Sequence, residues 1–201
     1  MPKIGPEVRT ARRNQFIRAA RELAAETGFR TLTIDDVCAR AGFSKGAFYV
    51  HFPSKQELLH AMLEEEIAQV NELLDVLAAG PLPELEKVRA FVRTMVQRAQ
   101  DPAEVAFRAE LWSQVGVDER LRERIAETVR VRRVRLAGFA TAGAQSGELV
   151  EVPANAFGAV LVALVDGLLL HHAVDPSGFR WENIAKVIDI LLDHLGIRPV
   201  V

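Results

Sequence analysis

Apolar residues in this chain recur at three-and-four spacing almost throughout, the period of helices that bury one face. Phe16, Ala20, Leu23 and Ala24 make one such stripe between about Val8 and Thr27, and Gly28 stops it. Ile34, Val37, Cys38 and Ala41 make a second, shorter stripe. A third helix fits only between Ser44 and about Phe52, because Pro53 disfavours helical geometry at the residue before it. A long seam then runs through Leu59, Leu63, Ile67, Val70, Leu74 and Leu77 until Gly80-Pro81-Leu82-Pro83 breaks it. The spacing predicts further helices around Val88 to Met95, from Asp101 through Trp112, and from Asp118 to Ala144. Two more follow, one with Pro153 in its first turn and one over Trp181 to Leu195, separated by Asp175-Pro176-Ser177-Gly178. With no strand alternation or repeat, the chain is expected to be all-α with about nine helices.

Local signals sharpen the segment 33–52 into a helix-turn-helix. Thr33 is placed to cap the second helix, with Asp36 completing a capping box and favouring the positive helix end. Gly42 sits where a left-handed cap is required, Phe43 turns back toward the core, and Ser44 caps the third helix. Ser54 with Glu57, and Asp101 with Glu104, read as two more capping boxes. On the third helix Ala47, Phe48 and Phe52 can face inward, which leaves Lys45, Gly46, Tyr49 and His51 outward. Gly46 costs about 1 kcal/mol relative to Ala in a helix unless another backbone or a ligand comes close.

The run from Gly42-Phe43-Ser44-Lys45-Gly46-Ala47-Phe48-Tyr49-Val50-His51-Phe52-Pro53 to Leu59 resembles the TetR family of bacterial transcriptional regulators almost position by position, and the likeness covers residues 9 to about 70. It implies a three-helix DNA-binding domain over 8–70, joined by the fourth helix to an effector-binding and dimerisation domain over 71–201. Lys45, Tyr49, His51 and Lys55 match positions that contact DNA in the family, with Gly46 and Ala47 allowing close approach. Thr33 and Ser44 lie at helix N-termini suited to phosphate, and Arg12 and Arg13 can reach phosphate or the minor groove. Asp35 and Asp36 stand where some members carry a positive base-reading residue, which argues against base readout from the second helix. In the second domain the resemblance implies a small-molecule cavity. Its expected walls are Phe91, Met95, Phe107, Leu111, Trp112 and Phe139, with Thr94, Gln97, Glu110 and Gln114 as polar anchors.

The eighth helix is apolar around much of its circumference, which implies a partner surface. Phe157, Leu161, Leu164 and Leu168, with Ile184, Ile188 and Leu191 of the last helix, are expected to form a homodimer interface, as the last two helices do in the family. Two-fold symmetry then sets two recognition helices about 34 Å apart on a near-palindromic operator.

Charge changes the picture by region. Residues 1–55 hold ten Lys or Arg against five Asp or Glu, a net of +5, while the remainder holds 15 against 22, a net of −7. The positive half is the proposed DNA-binding half. The seven arginines between positions 120 and 135 face nearby acids, and one or two turned inward would favour an anionic effector. A single cysteine, Cys38, suits a reducing compartment and is expected to be buried. The polar, basic start from Met1 to Arg13 offers no signal sequence, and the apolar stretch Ala156 to Leu170 is shorter than the roughly 20 residues of a membrane span. His171, His172 and Asp175 lack a further ligand for a metal, and no nucleophile elbow, phosphate loop or cofactor motif is present. The expectation is therefore a cytoplasmic, non-enzymatic, ligand-responsive regulator, most simply a repressor, whose partners are double-stranded DNA, a second copy of itself and an unknown small-molecule effector. The alternative is a helical small-molecule carrier without sequence-specific DNA binding.

Overall fold

A computed structural model describes residues 5–196. Lys3 of the basic half and residues 197–201 of the expected second domain lie outside the described residues. Among the described residues there are nine α-helices and no strand, apart from one isolated bridge between Leu149 and Gly196. The helices are α1 (Pro6–Thr27), α2 (Ile34–Ala41), α3 (Lys45–His51), α4 (Lys55–Ala79), α5 (Glu84–Arg98), α6 (Pro102–Gln114), α7 (Glu119–Ser146), α8 (Ala154–Val174) and α9 (Trp181–Asp193).

The start of α2 and its turn into α3 are set locally. Thr33 Oγ1 accepts from the Asp36 amide at 3.1 Å, and Asp36 Oδ2 accepts from the Thr33 amide at 3.0 Å, so the capping box is complete. Gly42 adopts φ 72° and ψ 30°, the left-handed cap that ends α2. The other two expected boxes form only half. Ser54 accepts from the Glu57 amide, but the Glu57 carboxylate goes to Arg120. Asp101 caps Ala103, whereas Glu104 goes to Arg21 and Arg98. A guanidinium within reach makes a stronger, charge-assisted bond than a backbone amide does. Pro153 is the N-cap of α8 rather than part of its first turn.

Two apolar cores divide the chain. Phe16 centres the first, with Phe43, Phe48 and Phe52 rings 5.3, 5.4 and 6.2 Å away. That core holds α1 to α3 and the first half of α4 as far as Ile67, and it also takes Phe107, Leu111 and Leu121 from later helices. The second begins at Val70 and Leu74 and continues through Val88, Phe91, Phe139, Leu161 and Leu192. The α7–α8 pair packs closely because position 158 is glycine; a Cβ there would overlap the Arg133 carbonyl. Arg89 ties α5 to α9 through Asp189 at 2.7 Å and Asp193 at 2.6 Å.

At 21 residues α8 is long and apolar enough to cross a membrane by length and composition, longer than the stretch the sequence suggested. Its small and polar ends, from Ala154 and Asn155 to His171 and His172, extend the helix beyond the purely apolar run. Leu161, Val162 and Val165 pack into the second core and Asp166 pairs with Arg108, while Val160 stays exposed, so the protein interior accounts for only part of that apolarity.

Candidate functional site

Tyr49 is 48% exposed on α3, held edge-on against buried Phe48 at 5.6 Å. Lys45 is exposed beside it and pairs with Asp35 at 2.9 Å; that bond holds the ammonium pKa above its ordinary value. Ser44 caps α3 through the Ala47 amide at 3.2 Å, and Thr33 caps α2. A Cβ at Gly46 would meet only Ser44 Oγ at 3.8 Å. Among the described residues, nothing therefore requires glycine there.

His51 is half-buried, 5.9 Å from the Phe16 ring. Burial, followed by the charges of Arg9, Arg13 and Arg12, holds its imidazole below the ordinary histidine value. Arg12 and Arg13 lie over Phe43 and Phe52 at 5.6 and 5.5 Å, cation–π contacts that lean both guanidiniums along the exposed edge of the first core. Asp35 and Asp36 are both engaged, one with Lys45 and one as the cap of Thr33.

Two expected contact residues do not join this face. Lys55 turns inward: its Nζ donates to the carbonyls of Arg30 at 3.0 Å and Leu32 at 2.6 Å and lies 4.9 Å from the Phe29 ring. It clamps the end of the α1–α2 connection to the start of α4, and burial lowers its pKa. Ala47 is half-buried against the first core, with its amide committed to Ser44.

The expected wall residues and anchors do not gather around one cavity. Only Leu111 and Trp112 line the cavity between α4, α6, α7 and α8. Phe107 belongs to the first core, Phe91, Met95 and Phe139 to the second, and Glu110 accepts a bond from Gln114. Of the expected anchors, Gln97 lines a separate open groove between α5 and α9, and Thr94 bonds back to Ala90. Sequence periodicity marks which residues are buried; it does not separate a packed wall from a cavity wall.

The cavity wall carries the charges of Arg108, Arg132 and Asp166, and Glu66 lies buried against the two arginines. Glu66 is 0% exposed, and its Oε1 accepts from Nη2 of Arg108 and, at 3.1 Å, from Nη2 of Arg132. Asp166 Oδ1 lies 3.8 Å from Arg108 Nη1. Burial would raise the Glu66 pKa, yet Arg108 and Arg132 pull it below the usual carboxylate value. For Asp166 burial wins and raises it. Arg132 is the inward-turned arginine of α7. The sequence carried two signals for this quartet, Asp166 inside an apolar run and the arginine-rich segment that holds Arg132; Glu66 and Arg108 were missed.

Comparison with known proteins matches both halves. A family profile described as bacterial regulatory proteins, tetR family, fits residues 16–62, and one described as the C-terminal part of BetI-type transcriptional repressors fits residues 84–196, more than half of the chain. The chain belongs to the TetR family. It is therefore a bacterial transcriptional regulator of the helix-turn-helix type, and the carrier alternative is not favoured. The HTH-type transcriptional repressor AcnR of Corynebacterium diphtheriae is 26% identical over 192 residues, 95% of each chain. A transcriptional regulator from Saccharomonospora viridis, solved in complex with choline, superposes with a TM-score of 0.83 at 18% identity, covering 94% of this chain and all of that one. FadR of Bacillus subtilis, solved with stearoyl-CoA, gives 0.74 at 21% identity over 89% of this chain and 96% of its own.

The last two helices of this TetR-family chain carry an open, largely apolar groove lined by Leu164, Leu168, Ile184, Val187, Ile188 and Leu191, with Asn183 among them. Four of the seven expected interface residues line it while remaining at least partly accessible: Leu164, Leu168, Ile184 and Leu191. Leu161 and Ile188 are buried in the chain's own second core, and Phe157 packs against it. Exposed Val160, Val187 and Ile190 extend the apolar surface beyond the expected set. His172, one of the doubtful metal ligands, packs against Phe179 and Trp181.

Proposed function

We propose that this regulator is a dimeric, cytoplasmic repressor that grips a near-palindromic operator with α3 of each protomer and releases it when a small molecule enters the α4–α6–α7–α8 cavity. In this reading residues 8–70 bind DNA and residues 71–201 sense the effector and dimerise. The observation that carries it is the α3 face: Tyr49 and Lys45 stand exposed around a Gly46 that nothing among the described residues requires. Thr33, Ser44, Arg12 and Arg13 surround that face with phosphate-binding groups. Regulators of the same fold solved with choline and with stearoyl-CoA support control by a ligand.

Helix α6 supplies a route from cavity to head. Arg108 lines the cavity, and one turn earlier Glu104 Oε1 accepts from Arg98 at 2.9 Å and from Arg21 of α1 at 3.1 Å. Arg21 also lies 4.7 Å from the Phe107 ring and donates to the Met62 carbonyl. A shift of α6 therefore pulls on α1, and through it on both recognition helices of a dimer.

The test is selection of bound genomic fragments followed by fluorescence anisotropy on the recovered site. A dimer engaging about eight phosphates gives a slope near −7 for the logarithm of affinity against that of salt. Tyr49→Ala is expected to weaken operator binding about thirtyfold or more, since a base contact is worth roughly 1–3 kcal/mol and is lost twice per dimer. Its melting temperature should barely change. Recovery of no preferred sequence, or an unaltered affinity for the variant, would remove the α3 face from the reading.

His51 adds a pH dependence. Its value is lowered in the free protein, and a nearby phosphate would stabilise the imidazolium, so binding takes up protons. Operator affinity should rise as pH falls from about 8 to about 6, and His51→Gln should flatten that part of the profile. An unchanged profile in the variant would place His51 away from phosphate.

A further inference from the structure

We infer that the α4–α6–α7–α8 cavity takes the carboxylate of a small organic acid with an apolar body. This deepens the proposed reading and rests on it for the claim that the cavity is the effector site. The argument begins with unspent donors. Arg108 and Arg132 both aim an Nη2 at the same oxygen, Glu66 Oε1, while the Nε of each is buried without a partner. Asp166 Oδ1, at 3.8 Å from Arg108, lies outside hydrogen-bonding distance. Two guanidiniums thus share one hydrogen-bonded carboxylate oxygen.

A guanidinium has five N–H donors in a plane and no acceptor, and a carboxylate offers two oxygens to match such a fork. An acid entering here gives the orphaned Nε–H groups their acceptors. A quaternary ammonium or other cation brings no acceptor for them. One buried acceptor, Glu66 Oε2, is also unpartnered. Leu63, Leu111, Ile125 and Val129 provide apolar wall for the body of the acid, and Trp112, 43% exposed, stands where the cavity meets solvent.

The void at the centre is about 20 Å³, the room of about one water molecule. An acid larger than that must push α6 and α7 apart, and α6 carries the Glu104 clasp on Arg21. Ligand class and release of the DNA-binding head are therefore joined in one helix.

The experiment uses the full chain carrying Trp181→Phe, which leaves Trp112 as the reporting tryptophan. It is titrated with straight-chain and aromatic monocarboxylates of two to eight carbons, including hexanoate and benzoate, with the matching alcohols, and with choline. Operator anisotropy is followed in parallel. Saturable change in Trp112 emission with the acids, and not with the alcohols or choline, is the expected result. Asp166→Asn, which keeps the side-chain shape while removing a negative charge, should tighten the acids about three- to tenfold. Equal response to the alcohols, binding of choline in place of the acids, no response to any acid, or weakening by Asp166→Asn overturns the inference. The two claims fail separately: acids that bind without releasing the operator leave the ligand class standing and sink the regulatory reading, whereas release by choline alone does the reverse.

Discussion

Glu66→Ala should lower folding stability by about 3–5 kcal/mol, the usual cost of removing one partner from a buried ion pair. At a fixed protein concentration that corresponds to a fall in melting temperature of roughly 10 °C for a chain of this size. Glu66 is fully buried, and its Oε1 is the hydrogen-bonded anionic partner of Arg108 and Arg132. Without it two guanidiniums face each other in the interior; burial and the neighbouring Arg108 already lower the Arg132 pKa. Replacing all three residues together with apolar side chains of similar volume should restore much of the loss, since the cost lies in the unpaired charges. Thermal melts by circular dichroism decide the matter, and a drop below about 1 kcal/mol for the single variant would mean that the cluster relaxes into water. The pH dependence has a definite sign. Because the folded Glu66 carboxyl lies below its ordinary value of 4.5, its contribution is complete above that value and is lost as pH falls through the lower, folded one. The wild-type chain should therefore lose more stability on acidification than Glu66→Ala does.

Leu191→Glu should turn the proposed dimer into a folded monomer. Leu191 is 59% exposed at the edge of the apolar groove, so the change costs the chain's own core little. In a dimer built on that groove it would bury two unpaired carboxylates. Light scattering should give the mass of one chain, and operator affinity should fall by about a hundredfold or more, because each half-site is then bound without the linkage to its neighbour. An intact dimer would move the interface away from the α8–α9 groove. Leu161→Glu makes an instructive contrast: Leu161 is buried in the second core, so its variant should unfold and says nothing about assembly.

The recognition head was legible because its signals act within a few residues. Thr33 caps Asp36, Gly42 closes α2, Ser44 opens α3 and Pro53 ends it, all through bonds or clashes spanning four positions or fewer. Short-range chemistry of that kind survives in any tertiary setting, and the regional charge asymmetry adds to it. Lys55 marks where this stops. Its neighbours in sequence look like a solvent-facing helix start, yet its ammonium is claimed by carbonyls 23 and 25 residues earlier. Glu57 and Glu104 were diverted from their own helix ends in the same way, by guanidiniums 63 and 83 residues distant.

By itself, then, the sequence determined the helical class, the helix-turn-helix at 33–52, the family and the placement of apolar faces, because period, caps and breakers are properties of contiguous residues. Tertiary structure alone decided which of those faces became core, cavity or groove. Leu161 and Leu164 lie on the same apolar helix, but packing against α5, α6 and α7 buries one in the interior and leaves the other lining the groove. It also decided that Glu66, Arg108, Arg132 and Asp166, drawn from four helices, meet in one buried cluster. The energy of such a cluster depends on distances across the fold and on exclusion of water, neither of which is encoded in the spacing along one helix.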